Sequence, residues 1–264
     1  RTLVGTGDWK AALAAYDEAA ELVSDEAHAR GEFLDGAALA AQELRRKDLP
    51  ERLCQAWSDA PSMVRLCRWL GSAKTKKVLH ERVAEALLTC PKKANRQRAL
   101  LHVLDGDLAA AAKLLAAAPG LGWSNGDHPG HFLFPLFVSL LGGIELPKEP
   151  VSDFDKLSLL TDDGHQLATP EISGLVELAG VSAPSDAKTR AAVIKAMHKA
   201  AEKRISGVTG NKRRRHYGHA ASLALACAQI DNSTETTEWL ANICDEYRRY
   251  PALQRELSQN TGRR

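Results

Sequence analysis

GDWKAALAAYDEAAEL, residues Gly7 to Leu22, carries the pattern from which the rest of the chain can be read. A glycine at position 7 suits the left-handed turn that ends one helix, and the Asp8 carboxylate can accept from the free N–H groups that open the next. Ala12, Tyr16 and Ala19 then recur at helical spacing on one stripe, and small alanines let a neighbouring helix come close. The segment GDLAAAAKLLAAAPG, Gly106 to Gly120, repeats this logic with Gly106, Asp107, Ala111, Leu114 and Leu115, and with Pro119 as a stop. A looser third copy is RHYGHAASLALACAQ, Arg215 to Gln229, in which Tyr217 and Ala220 take the aromatic and small positions.

These segments resemble the second helix of a tetratricopeptide repeat. They stand roughly a hundred residues apart with degenerate units between them, so a regular array of about 34-residue units is not visible. The implied fold class is all-α: an irregular tetratricopeptide-like helical-repeat solenoid, or two packed helical bundles. Composition agrees, because alanine and leucine are abundant and β-branched runs are nearly absent. At 264 residues, 44% hydrophobic and 26% charged, the chain can bury a substantial core.

Apolar spacing and breakers place helices near 8–24, 26–46, 50–59, 61–71, 74–89, 94–105, 107–118, 134–142, 171–179, 186–206, 212–229, 234–249 and 251–259. The stretch from Gly143 to Pro170, with Pro147, Pro150 and several aspartates, reads as an irregular connector. The resulting partition is an N-terminal repeat region over 1–120, a loop, helix and acidic connector over 121–170, and a C-terminal bundle over 171–264. On 186–206, Val193, Ile194, Met197, Ala201 and Ile205 share an arc opposite Lys188, Lys195, Lys199 and Lys203. On 234–249, Trp239, Leu240, Ile243 and Tyr247 make a core stripe, and Asn232 with Glu235 forms a candidate capping box.

Charge is informative through its distribution, since the net value is only +2. Leu121 to Gly180 holds nine acids against two lysines, whereas Lys188 to Arg215 holds ten basic residues and one acid, Glu202. That change of sign predicts two surfaces or an internal ion-pair seam. Within the basic part, Lys195, Lys199, Lys203, Lys212, Arg213, Arg214, Arg215 and Tyr217 are the candidate contacts for a partner or for nucleic acid. Arginine forks suit phosphates, and a tyrosine can stack on a base. A helix start with a solvated basic face explains the same residues without a ligand.

GWSNGDHPGHFLFPLFVSLLGG, Gly122 to Gly143, sets His128 and His131 behind a turn. Asp127, His128 and His131 are the candidates for a metal-dependent enzyme. Zinc sites, however, use about four ligands, and no second cluster accompanies these three. The alternative is a loop that leads into a helix near Pro135, where a first turn tolerates proline. The apolar run from Phe132 to Leu141 is broken by Pro135 and falls short of the ~20 residues a spanning helix needs, so no membrane segment is expected. Trp123, Phe132, Phe134 and Phe137 predict that this loop and helix plug the junction between the N-terminal and C-terminal parts, with Phe134 and Phe137 buried.

No nucleophile elbow, phosphate loop or dinucleotide fingerprint occurs, and GVTGNK, Gly207 to Lys212, joins two helices and not a strand to a helix. Neither a catalytic residue nor a cofactor is expected. Cys54, Cys67, Cys90, Cys227 and Cys244 are odd in number and widely spaced, which fits reduced thiols and a cytoplasmic setting. The chain opens inside what reads as a repeat unit, as a fragment of a longer protein would.

The last third, RRRHYGHAASLALACAQ and TEWLANICDEYRRYPALQREL, resembles the C-terminal helical region of bacterial SWIM zinc-finger proteins in its basic stretch, its paired Ala220 and Ala221, Trp239, and Tyr247 to Leu257. APSMVRLCRWL and ALLHVLDGDLAAAAKLL are similar to the middle of that region. The Cys-x-Cys and Cys-x-His pairs of the finger itself are absent from the chain. The resemblance implies a repeat-like helical region that holds a protein or a nucleic acid. The expected function is a non-enzymatic scaffold for a protein partner.

Overall fold

The computed structural model describes residue 5 and residues 7–23, 25–125, 127–142 and 167–259. Thirteen α-helices and one 3-10 turn make up the regular structure, with no strand among the described residues. By contact density the chain falls into two compact units. Among the described residues the first holds 5–93 and 167–180, and the second holds 94–142 and 181–259.

The first unit contains α1 (Trp9–Leu22), α2 (Ala27–Glu43), α3 (Leu49–Asp59), α4 (Met63–Gly71), α5 (Lys76–Thr89) and α9 (Ile172–Ala179). Its helices pack mainly on their sequence neighbours, and α1 against α2 is the most extensive of these packings. Small residues allow that approach: Leu13 meets Ala37 and Ala40, and a Cβ at Gly36 would fall 2.6 Å from the Tyr16 ring. Asp8 caps α1 by accepting from the Ala11 N–H at 3.1 Å, behind Gly7 at φ 74°.

Arginines staple this unit across its interfaces. Arg30 of α2 donates to Asp59 at 2.8 Å, and Arg52 of α3 donates to Asp17 of α1 at 2.7 Å. The buried Arg65 of α4 reaches Asp35 and Glu32 of α2 at 2.9 and 3.0 Å. The later segment 167–180 is stitched to the same unit. Ala168 N–H donates to Gln42, Arg68 donates to Thr169, and His80 bonds the Ala179 carbonyl.

The second unit contains α6 (Asn95–Leu104), α7 (Leu108–Ala117), α8 (Gly130–Gly142), α10 (Ala187–Gly210), a 3-10 turn (Arg214–His216), α11 (Tyr217–Ile230), α12 (Thr234–Glu246) and α13 (Pro251–Gln259). The centre of the bundle is α11, which touches α8, α10, α12 and α13 and is buried from Ala220 through Cys227. A helix apolar on all sides has to be interior. Asp107 caps α7 through the Ala110 N–H at 2.9 Å, behind Gly106 at φ 83°, which repeats the geometry of Gly7 and Asp8.

Three sequence expectations shift. The boundary between units falls after residue 93 and not after 120, because α7 packs on α10, and residues 167–180 belong with the first unit. The helix after the His loop begins at Gly130, not near Pro135, because the Pro129 carbonyl already accepts from Leu133 N–H at 3.0 Å; Pro135 sits in its interior. The cap of α12 is Ser233, not Asn232, and it accepts from Thr236 N–H at 3.2 Å. Residues 143–166, which hold most of the acids that the expected ion-pair seam would use, lie outside the described residues.

Candidate functional site

The end of α7 explains several residues that looked like ligands in the sequence. A helix leaves its last carbonyls without intrahelical partners, and cations gather there. Lys203 of α10 donates to the carbonyls of Ala116, Ala117 and Ala118 at 2.8, 3.2 and 3.0 Å, which uses all three ammonium hydrogens. The next carbonyl, Pro119, meets His128 Nε2 at 2.9 Å, and Gly120 meets Arg204 Nη1 at 3.4 Å. Five successive carbonyls are therefore held by three side chains. A Cβ on Gly120 would lie 1.9 Å from the Lys203 carbonyl oxygen, so only glycine fits there.

His128 is a structural histidine. Its Nδ1 accepts from Gly130 N–H at 3.1 Å, so its Nε2 carries the proton given to Pro119, and burial lowers its pKa. With both nitrogens engaged it offers no lone pair to a metal. Asp127 accepts from the Arg96 N–H at 3.4 Å, at the first turn of α6, where an anion is favoured. His131 is half-buried and also has an interaction partner. Among the described residues, no group of three His, Cys, Asp or Glu side chains is placed to hold a metal ion.

Behind this loop lies an aromatic and cationic core. The Trp123 ring is 5.1 Å from that of His128 and 5.0 Å from that of His219, and Arg204 lies 5.9 Å over it. Arg204 Nε donates to His219 Nδ1 at 3.3 Å. Burial first, and the Arg204 charge second, push the His219 pKa down to about 3. Phe132, Phe134 and Phe137 are fully buried, and α8 packs on α7, α10 and α11 of its own unit.

The basic candidates divide. Lys195, Lys199, Lys212, Arg213, Arg214 and Arg215 are exposed, with no carboxylate partner among the described residues. Lys203 is committed to α7, and Tyr217 is buried in α11, so neither is available to a ligand. The turn bearing the exposed arginines is fixed by the Arg213 N–H to Val208 carbonyl bond at 2.8 Å, with Lys212 in the left-handed region at φ 52°.

Sequence reading missed the groove between α10 and α12. Its volume is about 780 Å³, and Pro119, Gly120 and Leu121 also line it. The α12 side presents Trp239, Asn242, Ile243, Glu246 and Tyr247, spaced i, i+3, i+4, i+7, i+8, which is one helical face. The α10 side presents Glu202, Lys203, Ser206 and Gly207. Of the four-residue stripe assigned to the core only Ile243 is buried; Trp239, Leu240 and Tyr247 stay partly exposed. Trp239 is held in place by His198, stacked at 4.0 Å and 9°, and by its indole N–H donated to Glu202.

No helix among the described residues is long and apolar enough to cross a membrane. No family model, curated protein or solved structure matches the chain.

Proposed function

We propose that the chain is a non-enzymatic helical scaffold, tetratricopeptide-like in its helix packing, that holds a protein partner in the groove between α10 and α12. The observation that carries this reading is the open face of α12. Trp239 and Tyr247 stay partly exposed beside the buried Ile243, in a groove of about 780 Å³. Partly exposed aromatics of this kind dominate binding energy at protein interfaces. A second reading, contact with nucleic acid, is favoured by one observation: Lys212 to Arg215 are exposed and lack carboxylate partners among the described residues. Membership of the SWIM-associated helical region rests on the residue patterns alone, and a cytoplasmic setting rests on the cysteines alone.

One experiment separates the readings: affinity capture from native lysate, with and without nuclease, followed by mass spectrometry. The scaffold reading expects proteins that survive nuclease and are lost in the double variant Trp239→Ala, Tyr247→Ala. An identical set captured by both forms would overturn it. Capture lost on nuclease treatment and on changing Arg213 to Arg215 to serine would favour the nucleic-acid reading instead.

A further inference from the structure

The groove between α10 and α12 has a chemistry more specific than aromatic. Its charged lining is Glu202, Lys203 and Glu246. Lys203 has no hydrogen left to offer, since all three point to the end of α7. Its charge is also partly answered there by the carbonyl dipoles. What faces a ligand is therefore two exposed carboxylates and two aromatic rings. Trp239 Nε1 already donates to one oxygen of Glu202, which fixes both groups and leaves the second oxygen of that carboxylate to accept. His198 covers one indole face, so a ligand meets a ring whose orientation is set before it arrives.

We infer that, given the partner-binding reading above, the groove selects an arginine side chain of the partner's chain, carried on an extended, basic and apolar segment. A planar guanidinium stacks on an aromatic ring while its edge donates to carboxylates, which a compact ammonium does less well. Leu121 then takes a flanking apolar residue. An acidic or phosphorylated segment is disfavoured, because the groove offers it no free donor with a positive charge.

The test uses the whole chain labelled with 15N at tryptophan. The probe is a Leu-Arg-Leu-Arg-Leu peptide, compared with its uncharged isostere in which citrulline replaces arginine. The Trp239 indole resonance is assigned by its loss in Trp239→Phe. The arginine peptide is expected to shift that resonance saturably, and the citrulline peptide to bind at least tenfold more weakly. The double variant Glu202→Gln, Glu246→Gln, which keeps an acceptor for the indole N–H, should lose at least tenfold for the arginine peptide with an unchanged thermal melt. Equal binding of the two peptides, or no shift with either, overturns the arginine assignment. The capture experiment judges the partner reading separately.

Discussion

Lys203 shows how far a residue type falls short of a role. Its neighbours Lys195 and Lys199 lie on the same stripe of α10 and are exposed, whereas Lys203 is half-buried against the end of α7. Burial there, and then the charge of Lys199, lower its pKa. Lys203→Met should cost about 2 kcal/mol in urea unfolding, the upper range for a cation at a helix C-terminus, while Lys199→Met should cost close to nothing. Equal effects would remove the capping role. The residues that bond to Lys203 are 85 to 87 positions away in the chain, so no local pattern could announce them. Tyr217 was illegible for a related reason. Its basic neighbours made it look like surface, yet it is buried at the start of α11, the helix at the centre of the second unit.

Helix boundaries were largely legible, because glycine, proline and capping side chains act within a few residues. Gly7 with Asp8, Gly106 with Asp107, and Ser62 and Thr75 at their own helix starts all act locally. What periodicity could not supply is which helix becomes central. The stripe on α12 reads as core, but it is α11 that four helices enclose, whereas α12 packs on α11 and meets α10 through Trp239. This gives a prediction for the element. Ala224 of α11 is fully buried, so Ala224→Leu should destabilise by about 3 kcal/mol through overpacking. Asn242→Leu on the open face of α12 should change stability little. Thermal melts of the two variants decide between central and peripheral roles.

For the whole molecule the histidines set a limit on acid tolerance. Burial lowers the pKa of His128, His198 and His219, the last to about 3. Each is neutral when folded and takes up a proton near pH 6.5 when unfolded. The unfolded state therefore binds more protons as pH falls, and stability present above about pH 6.5 is lost on the way towards pH 3. Each such proton contributes a slope of about 1.4 kcal/mol per pH unit. Urea midpoints between pH 7 and pH 4 should fall steeply, and His219→Gln, whose amide oxygen can still accept from Arg204, should flatten the fall by about one proton. A pH-independent midpoint would contradict the neutral core.

The first unit is completed by residues 167–180, after the chain has passed through residues 94–142 of the second. On the ribosome, α1 to α5 therefore emerge long before α9, which closes the unit against α4 and α5. The helices α6 to α8 emerge before α10 and α11 exist, with Phe132, Phe134 and Phe137 as yet uncovered. At the ~5–20 residues per second of synthesis, those three rings wait several seconds for the helices that bury them. Each half is interrupted by residues of the other as it is made, and a nascent chain that stops before α10 leaves those three rings uncovered.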